Sequence, residues 1–114
     1  MASTPLIPLV SGFDLTTAFK TLFEVSAGVD FTGIDSVVFN NYSMSNVNVS
    51  VRLVQSGVGT VLNEVITEKL IRSKESFLAP SLIGQSIQSG GKMEAKASVN
   101  SSINVNITGT NTVG

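Results

Sequence analysis

An all-β fold, an antiparallel β-sandwich of jelly-roll type behind an extended N-terminal arm, is what this sequence predicts, and three observations predict it. Lys92–Val99 and Ile103–Thr108 alternate apolar and polar residues almost without error. Successive Cβ atoms leave opposite faces of a strand, so a period of two marks half-buried strands. Turn signals recur roughly every 8–12 residues, the rhythm of sandwiches and jelly rolls. No segment carries an uncontested helical stripe.

The 114 residues suit one domain, large enough for a core without disulfides or metal. Apolar residues make up 42% of the chain and charged ones only 13%, about half the usual share. Asn, Ser and Thr take the solvent-facing positions instead. That favours a surface built to meet other protein, or one long exposed to harsh conditions, although small β domains are also simply rich in Ser and Thr. Seven basic and eight acidic residues leave a net charge of −1. Nothing resembles a polybasic footprint, so neither nucleic acid nor membrane is an expected partner. Lys69, Arg72 and Lys74 form the one basic cluster, interleaved with Glu68 and Glu75 as on a solvated face.

Taken in order, the elements begin with an arm. Pro5 and Pro8 fix φ and hold the preceding residues extended, so Met1–Gly12 reads as an extended arm and residues 13–114 as a single sandwich domain. Leu6, Ile7, Leu9 and Val10 make the arm apolar; they are the expected partner-binding residues, latching onto a neighbour. Packing back onto its own domain is the alternative. The arm is not read as an export signal, because no Lys or Arg precedes its apolar run.

Thr17–Ser26 reads as a strand with Phe19, Thr21, Phe23 and Val25 on one face, ended by a turn at Ala27–Asp30. Thr32–Asn41, with Ile34, Val37, Val38 and Phe39, is apolar on both faces, as a central strand would be. After a polar loop, Val47, Val49, Val51 and Leu53 alternate with Asn48, Ser50, Arg52 and Val54, and Gln55–Gly59 makes a hairpin connection. Val61–Arg72 is contested. Leu62, Val65, Ile66, Lys69 and Leu70 match a helical stripe, but Val61, Val65, Ile66 and Ile71 are β-branched, so it is read as strand with an irregular segment. Lys74–Pro80 and Ser81–Gln88 should place Phe77, Leu82, Ile83 and Ile87 inside, before a turn at Ser89–Gly91. In the last two strands, pairing Val99 with Ile103, Ala97 with Val105 and Ala95 with Ile107 closes a hairpin over Asn100–Ser102, and a five-residue loop, Ser98–Ser102, keeps the same facing.

The residues that do most chemistry are missing. Without His or Cys, the commonest bases, nucleophiles and zinc ligands are absent, and no enzyme activity and no cofactor are expected. Asp30 and Asp35 could approach one another but lack the rest of a calcium loop. Asn-x-Ser/Thr occurs at Asn41, Asn48, Asn100 and Asn106, which composition alone explains. Tyr42, in a loop, could stack on a sugar; a lone tyrosine there is more simply a packed anchor.

The order of segments adds a resemblance. Leu22-Phe-Glu-Val-Ser-Ala-Gly28 followed by Ile34-Asp-Ser-Val-Val-Phe-Asn-Asn41 resembles the opening of small virion β-sandwich proteins of tailed bacteriophages. The close is similar too, in Ile87-Gln-Ser-Gly-Gly91, Lys92-Met-Glu-Ala-Lys-Ala-Ser98 and Ile103-Asn-Val-Asn-Ile-Thr-Gly109. The likeness runs over Thr17–Gly109 and departs at Ser26, where the family often has Pro, and across Leu62–Lys74. It implies a non-enzymatic virion structural protein, assembled in the bacterial host cytoplasm. A capsid decoration (cement) protein bound to the major capsid protein or other virion proteins leads, as a homo-oligomer, with a trimer favoured. Neck, tail and fibre components are the alternative, and a carbohydrate-binding or adhesin module is a more distant one.

Overall fold

A computed structural model describes residues 6–113. Nine strands run in chain order: β1 Ile7–Asp14, β2 Lys20–Glu24, β3 Phe31–Asn41, β4 Val47–Val54, β5 Glu64–Ile71, β6 Ser76–Leu78, β7 Ser86–Gln88, β8 Lys92–Ala97 and β9 Ile103–Thr112. They form two antiparallel sheets packed face to face. Sheet A has the order β1-β9-β3-β6, with β7 pairing the other end of β3; sheet B has the order β2-β8-β4-β5. The pairs are nested, β1 with β9, β2 with β8, β3 with both β6 and β7, and β4 with β5. The chain is thus one long hairpin, its turn between β4 and β5, rolled onto itself.

The core lies between the sheets. Val37, Phe39, Ile103, Val105 and Ile107 enter it from sheet A; Val47, Val49, Val51, Met93, Ala95 and Ala97 enter from sheet B. Bulges set the phase of the longer strands. Ile34 pairs with Gly109 and Ser36 with Thr108, leaving Asp35 as the extra residue. One added residue moves every later side chain to the opposite face, so Thr32 and Ile34 point inward before it and Val37, Phe39 and Asn41 after it. Gly109 is required where β9 meets β3: a Cβ there would run into the Gly33 carbonyl oxygen and the Leu9 side chain.

Val61–Arg72 is strand with irregular segments, as read. A single 3-10 turn, Val61–Asn63, precedes β5, and a bulge where Val49 pairs with Lys69 but Val51 with Ile66 holds Glu68 at φ 45°.

Five expectations are corrected. The division at Gly12 fails, because Ile7–Asp14 is the edge strand of sheet A, with Val10 opposite Ile107 and buried. An apolar segment with a free strand edge beside it gains more by joining its own core than by waiting for a partner. Residues 1–5 of the expected arm lie outside the described residues. The last two strands do not form a hairpin, since β8 belongs to sheet B and β9 to sheet A. Alternation tells which side chains face the core, and both strands do face it, from opposite sides. Val99, expected in the core, is in the connection and exposed. In β2, Leu22 is the buried residue, because a bulge between Thr21 and Phe23 shifts the phase and leaves Phe23 half-buried. Ile83 is exposed, in the irregular link that carries the chain from β6 to β7 along β3.

Candidate interaction surfaces

The expected contact residues of the arm do not make a surface. Val10 is in the core, Leu9 packs against it, Ile7 is half-buried opposite Gly109, and only Leu6 is well exposed.

The sheets differ sharply on their outer faces. Sheet A presents Ser36, Val38 and Asn40 from β3, Asn104, Asn106, Thr108 and Thr110 from β9, and Ser76 and Leu78 from β6. The rows are aligned: Val38 lies between Leu78 and Asn106, and Asn40 between Ser76 and Asn104. Ser36 Oγ and Thr108 Oγ1 are 2.7 Å apart, Ser76 Oγ donates to Asn40 Oδ1 at 3.1 Å, and Asn106 Nδ2 donates to Asn104 Oδ1 at 3.0 Å. Asp14 and Asp35 are the only charged residues in the strands of this sheet, one at a strand end and one in the bulge.

Sheet B carries the charge. Its strands hold Lys20, Glu24, Arg52, Glu64, Glu68 and Lys69, together with Lys92, Glu94 and Lys96. Lys92 and Glu94 form an ion pair at 3.5 Å. The Arg52 guanidinium lies 3.7 Å over the Phe19 ring and Lys96 Nζ 4.9 Å from the same ring. Arg52 Nε is buried without a hydrogen-bond partner among the described residues, so the aromatic face meets part of its charge. Beside this stack is a shallow recess of about 180 Å³ lined by Thr17, Asn48, Ser50, Glu68, Lys96, Ala97 and Ser98. Ser50 Oγ already accepts from the Glu68 N–H at 2.9 Å, which leaves little there to grip a ligand.

The free edges are blunted. Pro8 and two register shifts interrupt β1, a bulge interrupts β2, and two register shifts with a left-handed residue interrupt β5. Such edges resist strand addition by another chain.

Tyr42 is tied down through its backbone while its side chain stays exposed. Its N–H donates to the Ser102 carbonyl at 3.1 Å, and its carbonyl accepts from Lys74 Nζ at 2.8 Å. Partial burial of the phenol, then the nearby Asp14 carboxylate, raise its pKa above the ordinary 10.0. Asn41, the residue before it, carries no sequence signal beyond a sequon, yet organises the loop. Fully buried, it donates to the Ser45 and Ile71 carbonyls at 2.8 and 2.9 Å and accepts from Ser43 N–H at 3.0 Å. Both of its amide hydrogens are engaged, which excludes a glycan there. Among the described residues no group of three or more His, Cys, Asp or Glu could hold a metal ion.

Compared with family models, with curated proteins and with solved structures, the chain matches none.

Proposed function

We propose that this chain is a non-enzymatic structural protein of a tailed-phage virion, a capsid decoration protein seated on the head shell as a homo-oligomer. One observation carries the reading: across β9, β3 and β6 the outer face of sheet A holds a single charge, exposed Asp35 in the β3 bulge, and its aligned rows are otherwise Asn, Ser, Thr, Val and Leu. Covering a charged face costs desolvation, whereas Asn, Ser and Thr both donate and accept and can be paired by whatever covers them. Depletion of charge is the compositional mark of the covered centre of protein interfaces. The nested pairing supports the same reading, because nesting is what a jelly-roll winding would give, an architecture common in viral coat proteins and also found in lectins and cupins. The order of segments resembles virion sandwich proteins. With β1 part of the sandwich, contact with the shell runs through the sheet A face in place of an arm.

The lectin reading is weaker on a specific point. Phe31 and Tyr42 are the exposed aromatic residues among those described, and they stand at opposite ends of β3. At about 3.3 Å per residue they are some 35 Å apart and form no shared platform. Mass spectrometry of washed virions from the source of this sequence tests the proposal. The chain should be found in fixed ratio to the major capsid protein, and heads stripped of it should melt at lower temperature. Its absence from washed particles overturns the reading; its presence on purified tails alone moves it to the neck, tail or fibre.

A further inference from the structure

Arg52 stands where two connections meet. Residues 15–19 carry the chain from β1 in sheet A to β2 in sheet B, and the ring of Phe19 at their end lies 3.7 Å from the Arg52 guanidinium. Residues 55–63 link β4 to β5, and the Gly59 carbonyl among them accepts from Arg52 Nη1 at 3.3 Å. Gly59 packs so closely that a Cβ there would meet the Arg52 side chain, Val54 and the Glu94 carboxylate. Each connection also has hydrogen bonds of its own. Ala97 N–H donates to the Thr16 carbonyl at 2.8 Å and Thr17 N–H to Asn100 Oδ1 at 2.9 Å. In the second connection, Thr60 N–H donates to Asn63 Oδ1 at 2.8 Å and Asn63 N–H to the Thr60 carbonyl at 3.0 Å. Arg52 joins the two sets.

Its own pairing is incomplete. The Nε–H is buried with no acceptor among the described residues, which is costly for a charged donor. Yet carboxylates stand on both sides of it, because Glu94 of β8 and Glu64 of β5 are its register partners across β4. Residues opposite one another share a face with Cβ atoms about 5 Å apart, so a guanidinium fork can reach either one. Among the described residues the ion pair that forms is instead Lys92 with Glu94, at 3.5 Å.

We propose that Arg52 is a two-position latch. In the position described, it holds Phe19 and the Gly59 carbonyl together. In the other, the guanidinium turns onto Glu94 and Glu64, its donors find acceptors, and both connections are released at once. A partly exposed cation–π contact and a partly exposed ion pair are of comparable small strength, so neither position excludes the other. Lys96 Nζ, 4.9 Å from the same ring, keeps a cation on Phe19 when Arg52 leaves. The order of residues 55–63 thus depends on Phe19, a residue of the other connection. A molecule that covered either one would shift the latch and be felt at the other.

Amide hydrogen exchange of the full chain, followed residue by residue by NMR, tests the latch. Phe19→Leu removes the ring and should speed exchange at the Asn63 amide about fivefold, while the Val38 amide in the middle of sheet A stays within about twofold. Adding Glu64→Gln and Glu94→Gln removes the second position and should bring Asn63 back to within about twofold of the starting chain. Packing lost around Phe19 would not be restored by those changes. In the chain that keeps Phe19, the same two carboxylate changes should slow exchange at Asn63 about twofold or more, and this arm decides alone if Val38 shows that Phe19→Leu opens the whole domain. Unchanged exchange at Asn63 in a folded Phe19→Leu overturns the latch. So does a rise that the carboxylate variants leave in place, or exchange in the carboxylate double variant equal to that of the starting chain.

Discussion

Sheets A and B bury equally apolar inner faces and turn opposite outer faces to the surroundings. Val105 in A and Ala95 in B are both fully buried, because folding makes the same demand of each. Outside, β9 shows Asn104, Asn106 and Thr108 where β8 shows Lys92, Glu94 and Lys96. Folding does not require that difference, since any polar residue would serve on a solvated strand. Under the proposed function the difference marks the sheet A face as the one that meets protein, whereas on sheet B the charges are met in part within the chain, by the Lys92–Glu94 pair and the Phe19 ring.

The largest effect that would break this comparison comes from removing residues 1–12. If β1 is a working edge of sheet A, deletion strips Val10 from the core and the ladder from one side of β9. Cooperative urea unfolding should be lost. A transition at the original midpoint would make β1 a detachable arm and leave β9 as the natural edge.

Val105→Asp comes next. It places an unpaired charge between the sheets and should cost about 3–5 kcal/mol, a large part of the ~5–15 of a typical domain. Asn104→Asp, one residue away on the outer face, should cost under about 1 kcal/mol, mostly from Asp14 directly opposite. Equal losses in urea denaturation would mean that the inner and outer faces of sheet A are misassigned.

Much of this was legible in the sequence, and the failures have a common cause. Alternation in Lys92–Ala97 and Ile103–Ile107 identified the core residues correctly, because facing is a property of one strand. Pairing belongs to two strands, and nothing local to β8 or β9 says that they sit in different sheets. Leu22 was hidden by a bulge, since an inserted residue inverts the phase without altering composition. The neutral face of sheet A could not be read at all, because it gathers residues from β3, β6 and β9 that only the pairing brings together. Leu62 fits a helical stripe while Val61 is β-branched and argues for strand; the Thr60–Asn63 cap, which sets the 3-10 turn that carries them, is a contact between side chain and backbone.

Smaller effects sharpen the picture. Gly109→Ala must force β9 away from the Gly33 carbonyl and should cost about 1–3 kcal/mol, whereas Gly28→Ala, with open space around it, should stay within about 0.5 kcal/mol. Equal midpoints would show that sheet A is not tightly closed between β3 and β9. The smallest effect lies where β1 meets the loop after β3. With one tyrosine and no tryptophan, absorbance titration reports Tyr42 alone, and its midpoint should lie above 10.0. Asp14→Asn should lower it only part of the way, because burial is the larger cause. The raised pKa favours the folded state below the ordinary tyrosine range, and that contribution disappears as pH rises through the folded value. An unchanged midpoint in Asp14→Asn would place the carboxylate away from the phenol.

The orientation of the sandwich on the proposed virion tests the central claim most directly. In a virion reconstruction that resolves side chains, the outer face of sheet A, around Val38, Asn106 and Thr108, should lie against neighbouring protein. Lys92, Glu94 and Lys96 should face solvent. A map in which the charged face of sheet B is covered and Asn106 looks into water would contradict the account.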